Sequence, residues 1–336
     1  MTRRRILLTG ATGGLGLGIT RELIRRGHEV IAVGRSKQAG DRLALMGARV
    51  VLTDLEAPST RLDPLLAGVE SVIHAAALSA SWGPARSFQS ANVEVTRNLL
   101  EAATKAAVSR FVFVSSPSIF ASYEDRLGMG EADNPAAPPL NHYARTKLAA
   151  ERLVMDAATP GMACCAIRPR ALVGEGDAVI LPKLAEMAQR PRIPLPRGGQ
   201  ALIELTDLRD AAWAICEAEE RAASITRKAI NISGNKPVPV REVAAKLSEK
   251  LGCTPRFTNP PMIMLKALAA ALETLGEWRN SATEPLLTRY TLTTLAYSQS
   301  FDPEPAKRLL GYAPRHDALS TLLEQAAQMA AKEQGA

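Results

Sequence analysis

A chain of 336 residues that is 46% hydrophobic and 22% charged has the make-up of a folded globular protein, which excludes a disordered or membrane-embedded class. Lys and Arg (41) exceed Asp and Glu (34) for a net charge of +7, but the surplus is scattered. No basic stripe interleaved with aromatics supports nucleic-acid binding, and the excess favours small anionic ligands. Cys164, Cys165, Cys216 and Cys253 lack metal-ligand spacing, so no metal is expected and they read as reduced thiols of a cytoplasmic protein. The apolar run after Arg3-Arg4-Arg5 is too short for a targeting segment. Met262 to Leu272, interrupted by Lys266, is too short to span a bilayer, so no integral membrane segment is expected.

In chain order, Ile6-Leu7-Leu8 reads as a strand, followed by Thr9-Gly10-Ala11-Thr12-Gly13-Gly14-Leu15-Gly16 and a helical pattern through Leu23 and Ile24. Missing side chains serve three ends: a tight turn at Gly10, backbone approach to a pyrophosphate at Gly13, and close helix-to-strand packing at Gly16. The helix start turns free N–H groups and its positive dipole end towards phosphates. A second strand, Glu29 to Val33, completes a βαβ unit. For NAD, an acidic residue about 20 residues beyond the glycines would bind the ribose hydroxyls. The chain has Gly34-Arg35-Ser36-Lys37 there, and Arg35 and Ser36 suit a 2′-phosphate. NADP(H) is therefore the preferred cofactor, with NAD(H) second.

Val50 to Thr53 is the third expected strand, and Asp54-Leu55 at its end is placed for an adenine contact. The fourth, Ser71 to Ile73, leads through His74 into Ala75-Ala76-Ala77, small residues against which a cofactor can lie. His74 has no partner at ligand spacing and reads as structural. A turn carrying Trp82 precedes a helical stretch from Ser87 to Ala107 that contains Asn92, and Arg110 to Val114 then delivers Ser115 and Ser116. The alternation predicts a doubly wound parallel α/β sheet with its ligands beyond the strand ends. The proline-rich loop from Pro117 to Leu140 is long enough to be functional. It leads into a helix, N-capped by Asn141, in which Tyr143 and Lys147 share a face. A phenol with an ordinary pKa of about 10 exchanges protons poorly at neutral pH. The Lys147 ammonium is expected to lower that value, and Ser116 to orient the substrate oxygen.

Together these motifs resemble the extended short-chain dehydrogenase/reductase family. The matching residues are the Thr9–Gly16 turn, Asp54-Leu55, His74-Ala75-Ala76, Asn92-Val93 with Asn98-Leu99-Leu100-Glu101-Ala102, Val114-Ser115-Ser116, and Tyr143 with Lys147. The resemblance implies a Rossmann-type sheet with a smaller interleaved substrate-binding cap, and an NAD(P)-dependent oxidoreductase in which Tyr143 is the acid/base, aided by Ser116 and Lys147. Cofactor contacts are implied for Gly10, Thr12, Gly13, Gly14, Leu15, Gly16, Arg35, Ser36, Asp54, Leu55, Ala75, Ala76, Ala77, Asn92, Tyr143, Lys147, Arg168 and Pro169. Substrate contacts fall to Trp82, Ser118 and Arg170, and a homodimer is the family-level expectation. Ala80-Ser81-Trp82-Gly83, Ser116-Pro117-Ser118, Arg168 to Asp177, Leu181-Pro182-Lys183-Leu184 and Pro285 to Tyr290 resemble the branch of 3β-hydroxysteroid dehydrogenases and bacterial β-ketoacid (2-alkyl-3-oxoalkanoate) reductases. Two departures stand out: the missing acidic residue after the second strand, and Glu175 where the pattern often has Pro.

The expected layout is a dinucleotide domain over residues 1–170 rejoined by 201–233, a cap from 171–200 and 234–315, and a C-terminal helix over 316–336. Ala201 to Leu205 and Ala229 to Ile232 read as strands, Asp207 to Glu220 as a helix. Core packing is the expected use of the Met262-Ile263-Met264-Leu265 and Leu268 stripe, which also suits an apolar ligand. The reading is an NADP(H)-preferring enzyme interconverting a ketone and a secondary alcohol on a β-keto acid or a 3-oxo/3β-hydroxysteroid. The alternatives are a nucleotide-sugar epimerase or dehydratase with tightly held NAD, and a non-catalytic NADP(H)-sensing module. Arg170, Arg197, Arg256 and Arg289 leave room for a diphosphate or a substrate carboxylate.

Overall fold

The computed structural model describes residues 2–334 apart from 280 and 282. Its centre is a seven-stranded parallel sheet of β1 (Arg5–Thr9), β2 (Glu29–Gly34), β3 (Arg49–Leu52), β4 (Ser71–His74), β5 (Arg110–Val114), β6 (Ala163–Pro169) and β7 (Ala229–Ile232), in the spatial order 3-2-1-4-5-6-7. Leu7 stands in register with both Ile31 of β2 and Val72 of β4. The strands are apolar without alternation because helices cover both faces. On one face Ile6, Leu8, Ile73, Val112 and Ile167 pack under α1 (Gly14–Arg25). On the other, Leu7, Val72, Phe111 and Phe113 pack under α3 (Val95–Lys105) and α4 (His142–Asp156). Adjacent Cys164 and Cys165 fall into opposite cores as buried free thiols.

The strand order reverses between β1 and β4. The turn at Gly10 and the Ala75-Ala76-Ala77 run leave the sheet at that reversal, which is where ligands bind in such folds. Short α2 (Lys37–Leu45) flanks the same edge, and α6 (Leu208–Glu220), with Asp207 as its N-cap, covers α1.

Four segments depart from the sequence reading. The Ser87–Ala107 stretch is helical but contains a wide π turn at Gln89–Glu94, ahead of α3. The 117–140 loop is not structureless: Pro117–Phe120 forms a 3₁₀ turn, and Arg126–Met129 pairs in parallel with Gln299–Phe301, an extended segment from the far end of the chain. Of Ala201 to Leu205 only Leu202–Ile203 pairs, antiparallel to Val238–Pro239. The final helix, α10 (Ala318–Gln334), starts two residues late because the Asp317 carboxylate accepts from the Ser320 N–H and caps it.

The cap has two parts. α5 (Ile180–Ala188), α7 (Val240–Lys250) and α10 share a core of Leu181, Val243, Leu247, Leu319 and Leu322. The outer pair, α8 (Met262–Trp278) and α9 (Arg289–Ala296), is thinner: α8 buries only Leu265, Ala269 and Glu273. The expected core stripe is therefore split, with Leu265 inside while Ile263 (84% exposed), Met264 and Leu268 face solvent. One helix laid on another can bury one stripe, and a helix apolar all round leaves the remainder exposed. Among the described residues no helix is long and apolar enough to cross a membrane, and no cluster of His, Cys, Asp and Glu could hold a metal.

Candidate active site

The turn after β1 is made of backbone. Gly10 turns the chain at φ +68°, and a Cβ there would meet the Ala76 nitrogen at 2.6 Å. A Cβ at Gly16 would meet the Gly10 carbonyl oxygen at 2.2 Å. Gly13 differs: its Cβ would meet nothing nearer than that oxygen at 3.5 Å, so its outer face is open. Gly13 caps α1 without a side-chain hydrogen bond, and the first turn has no acidic residue. The first N–H groups of α1 are thus left for an anion, and this geometry fits the pyrophosphate of a dinucleotide. Leu15 packs into the core below the turn, and Ala75 and Ala76 donate their N–H groups to the Thr9 carbonyl and hydroxyl at 3.3 and 3.2 Å.

Thr12 works beneath the cradle: its hydroxyl fills the space where a Gly34 Cβ would be and accepts from the Arg35 N–H at 3.3 Å. The Ser36 hydroxyl caps α2 by accepting from the Ala39 N–H at 3.3 Å. Arg35 is left with a side chain 71% exposed and its Nη1 4.0 Å from the Asp54 carboxylate, at the end of β3. Leu55 packs on the neighbouring core. Gly14 is small for a reason the sequence did not reveal: the Gly174-Glu175-Gly176 turn crosses it, and a Gly14 Cβ would meet the Gly176 oxygen at 2.4 Å. Glu175 fastens that turn to α2 through Arg42 at 2.5 Å and to α1 through Arg21 at 3.5 Å.

Beyond β5, Ser116 accepts the Ser118 N–H at 3.2 Å, while the expected N-cap Asn141 accepts the Ala144 N–H at 2.8 Å and starts α4. Tyr143, in the first turn of α4, has the hydroxyls of Ser116 and Ser79 near its own, both favouring its ionised form. Burial pushes its phenol above the ordinary value, and the two serines offset only part of this. Lys147 does not act on it as expected. Its ammonium donates to the Val114 carbonyl and stands over the Phe113 ring at 4.1 Å, and burial brings its pKa down to about 7. The i, i+4 spacing fixes a shared face, but the lysine is drawn to the end of β5 and the phenol to the serines.

A family model described as the NAD dependent epimerase/dehydratase family matches residues 6–233. The chain belongs to that family. The 2-alkyl-3-oxoalkanoate reductase of Stenotrophomonas maltophilia (strain K279a) is 34% identical over 93% of this chain and 95% of its own length. A 4-hydroxy-2-methyl-3-oxo-4-farnesyl-3,4-dihydroquinoline-1-oxide ketoreductase of Stigmatella aurantiaca is 31% identical over 93% and 92%. Among solved structures, MoeE5 in complex with UDP-glucose and NAD superposes with a TM-score of 0.72 at 25% identity, over 99% of this chain and 100% of that one. The Rossmann-type sheet and the membership of an NAD(P)-dependent oxidoreductase family are thereby established.

Within this epimerase/dehydratase-family site, several residues expected at the ligands hold the frame instead. The buried Asn92 amide is consumed by Leu78, accepting its N–H at 2.8 Å and donating to its carbonyl at 3.3 Å, and by the Thr146 hydroxyl at 3.1 Å. It ties the loop after β4 to α4, and the π turn at Gln89–Glu94 brings it there. The Arg168 guanidinium is taken by Glu151, Nε donating at 2.8 Å, and lies against Phe120. Trp82 donates its indole N–H to the Ser281 carbonyl at 2.9 Å and lies where a Gly276 Cβ would be, fastening the cap to the sheet. Ser118 is buried with a hydroxyl that meets no partner among the described residues. His74 is structural, its ring nitrogens held by Thr9 at 2.7 Å and Thr96 at 3.0 Å. Ser79 and Glu151 escaped the sequence reading, which named Tyr290 only as the end of the Pro285 to Tyr290 stretch and gave it no role. Only Glu151 carried a signal, standing four residues beyond Lys147 on the same face.

Proposed function

We propose that this protein interconverts a ketone and a secondary alcohol on an apolar substrate, with NADP(H) as the preferred cofactor and Tyr143 as the acid/base. The observation that carries the reading is the raised, protonated phenol of Tyr143 beside Ser116 and Ser79, at the sheet edge where the glycine cradle opens. A neutral phenol is the form that protonates a ketone oxygen. A bound nicotinamide would supply or accept hydride at that edge. The chain's own residues do the rest: Ser116 and Ser79 orient the oxygen, Tyr143 moves the proton, and Lys147 holds the end of β5 in place. For the cofactor, β2 ends in Gly34-Arg35-Ser36 with no carboxylate of its own, and the exposed Arg35 side chain, only loosely paired with Asp54 at 4.0 Å, suits a 2′-phosphate. Two relatives with reductase names over nearly the whole chain support the ketone reading.

The competing reading is a nucleotide-sugar epimerase, favoured by the superposition on a structure holding UDP-glucose and NAD. The assay is oxidation of NADPH and NADH against β-keto acids, 3-oxosteroids and UDP-glucose. Net NADPH consumption with a ketone, faster than with NADH, is expected. Tyr143→Phe is expected to lose roughly 10²- to 10⁴-fold in turnover while still binding NADPH. Turnover unchanged in that variant would remove Tyr143 from the chemistry, and UDP-glucose conversion without net cofactor use would select the epimerase.

A further inference from the structure

Thr9, His74, Asn92, Thr96 and Thr146 are polar and buried, and their hydrogen bonds join into one set that runs from the end of the sheet to α4. Counting donors and acceptors fixes where its protons lie. The Thr96 hydroxyl is 2.7 Å from the Asn92 carbonyl, which can only accept, so its single proton goes there. His74 Nε2, 3.0 Å from the same hydroxyl oxygen, is then the donor. Burial brings the His74 pKa down to about 3, so the ring is neutral and its Nδ1 carries no proton. Nδ1 therefore accepts from the Thr9 hydroxyl at 2.7 Å, and the Thr9 oxygen accepts the Ala76 N–H at 3.2 Å. At the other end the Asn92 amide donates to the Thr146 hydroxyl at 3.1 Å, which donates to the His142 and Tyr143 carbonyls at 2.8 and 3.1 Å. Every donor points the same way along the chain, from Ala76 to the first turn of α4.

The two ends are the two sides of the site. Ala76 abuts the glycine turn, its nitrogen 2.6 Å from where a Gly10 Cβ would stand, and Tyr143 is the second residue of α4. His74, at the end of β4, bridges β1 and α3 through Thr9 and Thr96. Its ring and the Lys147 ammonium share the Phe113 ring, at 5.7 and 4.1 Å from its centre, and that ammonium opposes a charged imidazole. We propose that His74 is a positioning residue: through one fixed tautomer it holds the Ala75-Ala76-Ala77 cofactor shelf and the helix bearing Tyr143 at one separation, so that hydride and proton reach the same carbonyl. This rests on the ketone/alcohol reading above and names a residue that reading does not use. Two groups that act on one carbonyl from different elements lose rate when their spacing drifts, even where each still binds its own partner.

The first test needs no substitution. Nitrogen-15 NMR of the histidine rings is expected to show His74 neutral, with its proton on Nε2, from about pH 6 to 8, the range in which an ordinary histidine titrates. A proton on Nδ1, or a ring that charges in that window, overturns the proposal. Thr96→Val keeps the shape of the side chain and removes the hydroxyl link. It is expected to lose roughly tenfold in kcat with NADPH and a ketone at unchanged KM, with a larger isotope effect from NADPH deuterated at the transferred hydride. Thr96→Ser, which restores the hydroxyl, is expected to recover most of both. His74→Leu is expected to lose roughly 10²-fold in kcat, and His74→Gln, which keeps one acceptor and one donor, less. A Thr96→Val protein that melts lower yet turns over like wild type would make the chain structural only, which overturns the positioning role and leaves the ketone/alcohol reading standing. A readout free of turnover uses saturating 2′,5′-ADP, which carries neither the second ribose nor the nicotinamide. It is expected to slow amide exchange in the first turn of α4 in wild type and not in Thr96→Val; no slowing in wild type overturns the coupling. Slowing that is present in wild type and lost in Thr96→Val, in a protein that turns over no ketone or alcohol, keeps the positioning role and overturns that reading.

Discussion

At the carboxyl edge of the sheet, Gly10 and Gly16 sit against backbone atoms at 2.6 and 2.2 Å from where a Cβ would stand, whereas in the cap α8 leaves Ile263, Met264 and Trp278 in solvent. The glycine turn is built from backbone in fixed contact, with little freedom for side chains to differ. The cap is built from side chains, and part of the apolar face of α8 has no partner among the described residues. A cofactor is the same molecule in every turnover and can be met by main chain, while a substrate is read by the side chains that face it.

That contrast can be broken in four places. The largest effect belongs to Glu151→Ala, which strips Arg168 of its buried partner; a loss of about 3–5 kcal/mol in unfolding free energy is expected by chemical denaturation. A smaller loss would mean that water reaches Arg168. Next, Gly16→Ala presses a Cβ into the Gly10 carbonyl and is expected to cost about 1–3 kcal/mol, whereas Gly13→Ala should leave stability nearly unchanged and weaken only dinucleotide binding. Equal destabilisation by both would erase the distinction between packing glycine and cofactor glycine.

The third test is pH. Lys147 has a folded value of about 7, below its unfolded value of about 10.4, so between these the unfolded chain holds the extra proton and stability rises with pH. Thiols raised by burial reverse this above about pH 8.5, so the slope should be read between pH 7 and there. Wild type is expected to gain melting temperature across that window and Lys147→Met to lack the gain; parallel curves would mean that the ammonium is solvated. The smallest effect is Met264→Ser on the exposed face of α8, expected to stay within about 0.5 kcal/mol of wild type. A larger loss would show that this face is covered in solution.

Much of the sheet and cradle was legible because each depends on neighbours along the chain. Apolar runs bounded by glycine give strands, and the Gly10, Gly13 and Gly16 spacing gives a turn whose demands are local. Asn141 as an N-cap is equally local. Asn92, Arg168 and Trp82 were read as ligand contacts because side-chain type and position say where a residue stands, not which partner takes its hydrogen bonds. Leu78, Glu151 and Ser281 take them, from elements 14, 17 and 199 positions away. The pairing of Arg126–Met129 with Gln299–Phe301 was invisible for the same reason.

By itself, then, the sequence determined the doubly wound sheet, the glycine cradle at its switch point, and the placing of Tyr143 and Lys147 on one helix face, since periodicity and turn chemistry act over a few residues. Only the tertiary structure decided that Lys147 turns to Val114 rather than to Tyr143, that Gly14 is small for the turn bearing Glu175, and that of the two buried arginines Arg168 and Arg170 only the first has a carboxylate partner among the described residues. Those outcomes depend on burial and on distant partners, because a charge or hydrogen bond is settled by whatever the fold brings within about 3 Å of it.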